Sequence, residues 1–475
     1  MHWDIFIIPL RLENGNQKML RKVHAFIDTA FGEHLSKTQE FLRIPSISIK
    51  QTGLVETAQW LRNYLETFGG DVQFAGSPDA PILSAYFDAG KPRTLLVYGM
   101  YDVQDVEGQI WSSPPFAANI RKLPGIGSSI IARGACNSKG PLMGFLNVIQ
   151  AYKHIDEIPV NLILTIEGEE EIGSPNLSEF YSKKRDWLKS KADAGFEPFW
   201  AEYGTDVVHP IISLGSKGII VVELICRGGN WGGPTKQSVH SSTGGWIASP
   251  VWRLVKAVST LIDDEENILI EGFNNDVLPP TPEEEKILVE LSKTFDEKRT
   301  LEIMSAKRFK FKEKGVDLLR RYLYSPSIHI GPLMHTEGDV IASEVQIQLV
   351  IRIVPEMDSS KTVDNIRRHF AKMGYGDIEV ITLAHYPYSK THLQDKVVQS
   401  MLETYRQYKV KPQVWPMSAS ATPYYLFSEM LELPYIWGGL GKAGRSHVAD
   451  EYASVKGLKL FEKSIATFLY KFSQT

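Results

Sequence analysis

The spacing of apolar residues predicts a domain in which strands and helices alternate. Helical spacing runs from residue 18 to about residue 68, with a break at IPSIS, and a second helical stretch reads GPLMGFLNVIQAYKH. Short apolar runs typical of buried strands are APILSAYF, TLLVYGM and VNLILTIEG. The alternation predicts an α/β domain with a mixed central sheet that is flanked by helices. Because ligand sites in such sheets lie at the carboxyl ends of strands, residues 98–102 and 167–171 are the first candidates.

The pattern changes near residue 215 and predicts a second, smaller domain. Three strands and two helices alternate there, in the order GIIVVELICRG, SPVWRLVKAVSTLI, EVQIQLVIRIVP, SSKTVDNIRRHFAKMG and DIEVITLAH. Beyond about residue 386 the helix-rich pattern of the first domain returns. We therefore expect a larger domain formed by residues 1–214 and 385–475, interrupted by a compact α+β domain in residues 215–384.

Composition excludes several classes of protein. The chain has 475 residues, of which 43% are hydrophobic and 23% charged, as in ordinary soluble proteins of more than one domain. A net charge of −4 gives no bulk attraction to nucleic acid or to an anionic membrane. Two cysteines, Cys136 and Cys226, exclude a disulfide framework and fit a reducing compartment, so we expect a cytoplasmic protein.

The opening decapeptide MHWDIFIIPL lacks the basic start and the cleavage site of a signal peptide, and it is too short to span a bilayer. It is expected to be either an edge strand or an artefact of the start site. In the second case Met19 is an alternative start.

Four short motifs carry the candidate chemistry. YGMYDVQ and EGEEEIGS contain the ends of predicted strands, ARGACNSKG precedes a predicted helix, and GRSHVADEY lies near the C-terminus. In this order, together with WSSPPF and VIASEVQIQLVIRIVP, they resemble the co-catalytic zinc peptidases: aminoacylases, glutamate carboxypeptidases and carnosinase-like cytosolic dipeptidases. The resemblance covers nearly the whole chain. It implies an α/β catalytic domain interrupted by a ferredoxin-like lid, through which family members usually dimerise, so we expect a homodimer.

Several residues match functional positions of that family. The resemblance implies that Glu170 is the base that activates water and that Glu171 and His447 are metal ligands. His240, in SVHSST, matches the lid histidine that reaches the active site of the neighbouring subunit. Arg352 matches the lid arginine that binds a substrate carboxylate, a task that suits the planar guanidinium group. Glu170 and His240 are thus the candidate catalytic residues.

Other positions depart from the family pattern. Met100 stands where the family has its first histidine ligand, and Asn137 stands where it has the aspartate that bridges two metals. The family's third metal-site carboxylate would follow residues 206–208, but HPIISLGSKG follows them directly. Ser420 and Ala421 replace a glycine–serine pair that lines the family's substrate site. The resemblance therefore implies the fold more strongly than the activity, because function resides in the site.

These replacements weaken the metal site. Two zinc ions about 3.5–4 Å apart repel each other, and the neutral carbonyl of Asn137 cannot offset this as a shared carboxylate would. The Met100 thioether is a soft ligand better suited to cuprous ion, and it is more simply interpreted as a core-filling side chain. Glu171 and His447 alone fall short of the three protein ligands of a catalytic zinc. We expect no cofactor, or at most one weakly bound zinc at these two residues.

Cys136 is adjacent to Asn137, and both, with His447, are candidate substrate contacts at the edge of the site. The simplest interpretation of Cys136 is a buried, inert thiol. The alternative is a nucleophile that uses His447 or Glu170 as its base.

Three functions remain open. The first is an enzyme that acts on the amide bond of a small peptide-like or N-acyl amino acid substrate without the two-zinc mechanism, by hydrolysis, amide formation or acyl transfer. The second is a non-catalytic homologue that binds a small molecule or serves as a structural subunit, and the third is a single-metal hydrolase. The first is favoured because the base and the substrate-binding residues match the family while the metal ligands do not. The exact substrate and the direction of the reaction are not fixed by the sequence.

Overall fold

The computed structural model describes residues 15–203, 209–334 and 338–475. The chain forms two compact units. The first contains the chain up to Ile212, together with Thr391–Gln413 and Leu426–Thr475, and the second contains Ser213–Lys390 and Val414–Tyr425. The functional domain boundaries expected at residues 214 and 384 stay a prediction. The opening decapeptide and residues 206–208 lie outside the described part of the chain.

A mixed six-stranded sheet organises the first unit. The two strands Asp71–Gly76 and Pro81–Phe87 pair antiparallel, and the second of them pairs antiparallel with Asn161–Glu167. Parallel pairing continues from Asn161–Glu167 through Thr94–Met100 and Ala194–Pro198 to Tyr435–Gly438. Every residue of Thr94–Met100 and of Asn161–Glu167 is buried, as expected for parallel strands covered on both faces. The α/β prediction for this part of the chain is confirmed.

A second, five-stranded sheet and the helices complete the first unit. The sheet has the strand order Asn119–Leu123, Gly127–Ile131, Tyr452–Ser454, Lys442–Gly444 and Glu202–Tyr203. The α-helices are Gly15–Arg43, Leu54–Glu66, Lys139–His154, Leu177–Lys191, Lys396–Gln407 and Val455–Phe472. Shorter elements are the 3₁₀ turns Ser48–Lys50 and Glu170–Ile172, the π-helical Leu426–Met430, and the strands Ile211–Ser213 and Gln413–Trp415 near the unit boundaries.

Three helices of the first unit are joined by a buried polar network. Glu462, in the last helix, accepts hydrogen bonds from His34 Nδ1 at 2.7 Å and from Asn147 Nδ2 at 2.9 Å. These partners belong to the helices Gly15–Arg43 and Lys139–His154. Because a buried carboxylate is costly unless it is hydrogen-bonded, the network fixes how these three helices pack.

The second unit is an α+β structure around a four-stranded antiparallel sheet. The strand order is Ser327–Met334, Glu344–Ile353, Gly218–Arg227 and Glu379–Tyr386. Side chains of Glu344–Ile353 alternate strictly between half-buried and buried, which confirms the strand predicted for EVQIQLVIRIVP. The helices are Pro250–Ser259, Pro282–Ser292, Glu297–Ile303, Gly315–Tyr324 and Ser359–Lys372. Short strands are Gly215–Ser216 with Ser389–Lys390, and Val239–His240 with Val340–Ile341.

The helix Pro282–Ser292 begins with a complete capping box. The Thr281 hydroxyl accepts the backbone N–H of Glu284, and the Glu284 carboxylate accepts the backbone N–H of Thr281 at 2.7 Å. Proline at the first helical position adds to this start signal. Within the described ranges, no helix of either unit is both long and apolar enough to cross a membrane.

Candidate active site

The acidic motif EGEEEIGS lies at the carboxyl end of the strand Asn161–Glu167, next to the end of Thr94–Met100. Met100 is paired with Glu167 in the parallel register, and Met100 is almost completely buried. Gly168 is required here because a Cβ atom on it would lie 2.3 Å from the Tyr101 ring. The two strand ends are thereby brought together, as parallel pairing predicts.

Asp102 holds the acidic loop in place. Its buried carboxylate accepts the backbone N–H of Glu170 at 3.2 Å and that of Glu171 at 2.9 Å. Burial raises the pKa of Asp102 to about 7, and the nearby charge of Glu171 adds to the rise, while the amide hydrogen bonds oppose it. The residue is thus a positioning group for both glutamates.

Glu167 is a further buried carboxylate at this edge. It accepts hydrogen bonds from the Tyr98 hydroxyl and the Ser174 hydroxyl, each at 2.7 Å. Burial raises the pKa of Glu167 to about 8 in spite of these donors. Several acids are therefore confined within one small region, and each disfavours ionisation of its neighbours.

Glu170 lies half-buried on the turn Glu170–Ile172. In the part of the chain that the structure describes, its carboxylate has no hydrogen-bond partner, although its backbone N–H is bound by Asp102. Desolvation raises the pKa of Glu170 well above its ordinary value, and the charges of Glu171, Asp102 and Glu167 raise it further. An unpaired carboxyl group whose pKa is raised toward the neutral range is suited to acid–base catalysis.

Asn137, Glu171 and His447 converge in one cluster. Asn137 Nδ2 donates to Glu171 Oε1 at 2.8 Å and lies 2.9 Å from His447 Nε2. His447 Nε2 itself is 3.2 Å from Glu171 Oε1, and this contact is the main cause of the raised pKa of His447. Gln104 Nε2 donates to the other oxygen, Glu171 Oε2, at 2.8 Å. Both oxygens of Glu171 therefore already have N–H donors.

This donor set does not fit a two-metal site. Asn137 presents an amide N–H, not a bridging carboxylate, to Glu171, and its Nδ2 lies next to His447 Nε2. Met100 supplies only a thioether in the buried end of its strand. The region expected to carry a third carboxylate lies beyond residues 206–208, and the described residues that follow, from 209 on, read HPIISLGSKG. Among the described residues at the matched ligand positions, Glu171 and His447 are the two side chains of the family's ligand types, one fewer than a catalytic zinc needs.

A buried ion pair supports the backbone of Asn137. Glu451 Oε1 accepts the backbone N–H groups of Cys136 and Asn137, each at 2.8 Å, and Glu451 Oε2 accepts Arg133 Nη1 at 2.8 Å. Both charged side chains are almost completely buried. Arg133 lies in the motif ARGACNSKG and Glu451 in GRSHVADEY, but the sequence pattern indicated no role for either residue. The only sequence signal for this pair was that Arg133 and Glu451 each lie in one of the motifs that the site brings together.

Cys136 is buried, and its environment is that of an inert thiol. Burial raises its pKa well above the ordinary value, and the charge of Glu451 adds to the rise, while a hydrogen bond with Ser446 opposes it. Trp200 Nε1 donates to the carbonyl oxygen of Cys136 at 3.1 Å. None of the groups that shift its pKa is a cation that would activate the thiol.

His240 and Arg352 belong to the second unit. His240 is exposed, and its Nδ1 lies 2.9 Å from the Ser242 hydroxyl and accepts the Ser242 backbone N–H at 3.2 Å. Arg352 is half-buried on the strand Glu344–Ile353, and burial lowers its pKa. Ser420 also belongs to this unit, where its hydroxyl lies 2.6 Å from that of Ser418.

Comparison with known proteins assigns the family. Residues 96–471 match the model of Peptidase family M20/M25/M40. A Cys-Gly metallodipeptidase of Candida albicans is 29% identical over 363 residues, which cover 70% of this chain and 71% of the relative. The human Beta-Ala-His dipeptidase is 28% identical over 378 residues, which cover 74% and 71% of the two chains.

Solved structures agree with this assignment. An M20 family metallo-carboxypeptidase from Sulfolobus solfataricus superimposes with a TM-score of 0.83 at 29% identity, and the match covers 93% of this chain and 100% of the other. Human carnosine dipeptidase 1 superimposes with a TM-score of 0.79 at 23% identity, covering 96% and 100%, and shows the same fold. The expected fold class is confirmed, and because the family match spans well over half of its length, the chain belongs to peptidase family M20/M25/M40.

Proposed function

We propose that this protein is a divergent, dipeptidase-like enzyme that acts on an amide bond of a small carboxylate-bearing substrate without the two-zinc mechanism. Its relatives are named as dipeptidases for Cys-Gly and Beta-Ala-His, which supports a small peptide-like or N-acyl amino acid substrate. The observation that carries the metal-independent part is the hydrogen bond from Asn137 to Glu171. It occupies a carboxylate oxygen that a metal ion would need.

Glu170 is the proposed acid–base group. In hydrolysis it would take a proton from the attacking water and return it to the leaving nitrogen, and in amide formation it would act in the reverse order. Its lack of a hydrogen-bond partner within the described residues and its raised pKa support this role. Since no metal polarises the carbonyl in this proposal, an activated acyl group is a better substrate than an unactivated peptide bond.

His240 and Arg352 are the proposed substrate-side groups. Arg352 would bind the substrate carboxylate, because its guanidinium group is half-buried and has no acidic partner among the described residues. His240 would act in the cleft of a second subunit, which makes the enzyme a homodimer. The exposure of His240 is compatible with that role. We propose that the protein works in the cytoplasm, where its two unpaired cysteines stay reduced.

Two other functions have some support. A non-catalytic binding or structural homologue is favoured by the engaged Glu171 carboxylate and by Ser420 and Ala421 in place of the family's glycine–serine pair. A single-metal hydrolase would need to break the Asn137–Glu171 hydrogen bond and recruit a third ligand. Assays with dipeptides, N-acyl amino acids and activated acyl esters separate the first alternative from the proposed enzyme.

Metal content tests the mechanism directly. Protein purified without chelator is expected to carry less than one equivalent of zinc per chain by elemental analysis, because Met100 and Asn137 are not competent ligands. Any activity should survive treatment with chelator. The double replacement Met100→His with Asn137→Asp should raise zinc content but not reach two equivalents. Stoichiometric di-zinc occupancy, or activity lost to chelator and restored by zinc, would contradict the proposal.

Replacement of Glu170 tests the acid–base role. Glu170→Gln keeps the shape of the side chain but removes its titration, so kcat should fall roughly 10²–10⁴-fold with KM little changed. Glu169→Gln is the matched control, since Glu169 is the adjacent acid and is bound to Asn176 Nδ2 at 2.5 Å. It should leave kcat nearly unchanged. Full turnover by Glu170→Gln would show that the assignment is wrong.

Thiol reactivity tests the nucleophile alternative for Cys136. Because burial raises the pKa values of both thiols, that of Cys226 to about 11, native protein should react with a disulfide reagent at neither cysteine and denatured protein at both. Cys136→Ala should retain turnover, as should Cys226→Ala, the matched control. Loss of turnover in Cys136→Ala alone, with rapid labelling of that residue in native protein, would favour nucleophilic catalysis.

Subunit mixing tests the homodimer and the role of His240 together. Light scattering should give a mass twice that of the 53.5 kDa chain at micromolar concentration. Glu170→Gln and His240→Ala homodimers should each have little activity. Mixed dimers of the two should regain part of the wild-type activity, because one site then combines an intact Glu170 with an intact His240 from the neighbour. A monomeric mass, or no regained activity in verified mixed dimers, would refute the shared site.

A further inference from the structure

The second unit contains a cavity that the sequence pattern did not predict. Its volume is about 690 Å³, within the range of roughly 300–1,000 Å³ typical of small-molecule sites. We call it the aromatic cavity, since its walls are mainly apolar and aromatic. Its apolar and aromatic walls include Phe295, Met304, Phe311, Leu318, Tyr322 and Trp415.

Two cations line the aromatic cavity, and neither has an acidic partner among the residues that the structure describes. Lys217 is almost completely buried, and its Nζ donates to the carbonyl oxygens of Tyr322 at 2.6 Å and Ser325 at 2.7 Å. These bonds leave one of its three N–H donors free. Arg352 also lines the cavity, and in the described part of the chain it forms no ion pair or hydrogen bond. The charge of Arg352 lowers the pKa of Lys217, in addition to the larger effect of burial, so the two cations are neighbours.

Other charged residues that line the cavity are already neutralised. Lys310 Nζ is 2.7 Å from Glu266 Oε2, and Arg321 Nη1 is 2.5 Å from Glu313 Oε1. The guanidinium of Arg321 also lies over the Phe311 ring, 3.8 Å from its centroid. The positive charge available to a ligand is therefore that of Lys217 and Arg352.

One polar atom of the wall is also unsatisfied. Trp415 packs edge-on against Phe295 at 5.9 Å between ring centroids, and its buried Nε1 has no hydrogen-bond partner among the described residues. A buried donor without an acceptor costs free energy. A ligand oxygen could remove that cost, whereas a purely hydrocarbon ligand could not.

We propose that the aromatic cavity binds a small amphipathic carboxylate, whose anionic end pairs with Lys217 and Arg352 and whose large apolar group lies against the aromatic walls. Burying two neighbouring cations without a counter-ion is unfavourable, and a ligand carboxylate would offset that cost. An apolar chain or ring would gain from burial against the walls. This inference rests on the proposed function at one point, namely that Arg352 binds the carboxylate of the substrate. It narrows the substrate class to carboxylates that carry a bulky apolar side chain or acyl group.

Calorimetric titration of the full-length protein tests the ligand class. Decanoate is the probe. Acetate lacks its apolar chain, decanol lacks its charge, and decyltrimethylammonium carries the opposite charge. Decanoate should bind at one equivalent, at least roughly 10-fold more tightly than any of the three, because charge-assisted hydrogen bonds and apolar burial both contribute. Equal binding of the cation or of decanol would overturn the role of Lys217 and Arg352. Absence of decanoate binding would overturn the proposal as a whole.

Variants locate the site. Lys217→Met and Arg352→Met should each weaken decanoate binding roughly 10- to 100-fold, as expected for the loss of a hydrogen-bonded charge. Lys310→Met is the matched control, since it removes a lining cation that Glu266 already neutralises, and it should change affinity little. Lys217→Met also removes the donor to the carbonyl oxygens of Tyr322 and Ser325, so Met304→Glu is a second variant, at an exposed position of the cavity rim. Its negative charge should weaken decanoate but not decyltrimethylammonium.

The two proposals fail in distinguishable ways. Glu170→Gln should bind decanoate as the wild type does, because Glu170 is not part of the aromatic cavity. Retained binding with no turnover of any amide or acyl ester would reject the enzymatic proposal and leave this inference standing. Turnover of small substrates without decanoate binding, or equal loss of affinity in Lys310→Met and Lys217→Met, would reject the inference alone.

Discussion

The hydrogen bonds that Asp102 accepts are the constraint on which the candidate active site depends. The strand Thr94–Met100 ends two residues before this carboxylate, and the acidic loop belongs to the neighbouring strand Asn161–Glu167. Binding of two consecutive backbone N–H groups by one buried carboxylate fixes the start of the turn Glu170–Ile172 relative to the sheet. Glu171 is thereby presented to Asn137 and His447, and Glu170 is presented without a partner in the described structure. The backbone hydrogen bonds to Asp102 therefore fix where the two glutamates begin the turn.

The two strand ends and the acidic loop can keep their geometry when residues at the family's metal-ligand positions are replaced. In this chain the amide of Asn137 joins Glu171 and His447 by hydrogen bonds, and the Arg133–Glu451 pair holds the backbone beneath it. What changes is the electrostatics. Burial is the main cause of the raised pKa values of Asp102 and Glu167, and the charges of the neighbouring carboxylates add to the rise. Acid–base chemistry by a carboxyl group is then accessible near neutral pH.

The sequence predicted those features that depend on local pattern. The strand Glu344–Ile353 alternates in burial as its residues alternate in polarity, and the two buried strand ends meet because parallel strands align their carboxyl ends. The contacts missed were long-range ones. Glu451 and Arg133 are 318 residues apart in sequence, and nothing near either of them shows that they pair. The helices Pro282–Ser292 and Glu297–Ile303 were likewise not predicted, so the cavity partly lined by the second could not be foreseen.

The two units carry opposite charge at the places where they can bind small molecules. The first gathers buried carboxyl groups, which suit proton transfer, and a carboxylate substrate would be repelled by them if they were ionised. The second offers Lys217 and Arg352 amid aromatic walls, which suit the anionic and apolar ends of such a substrate but supply no acid–base pair of their own. An enzyme for carboxylate-bearing amides needs both kinds of surface, because attraction of the substrate and proton transfer require opposite local charge.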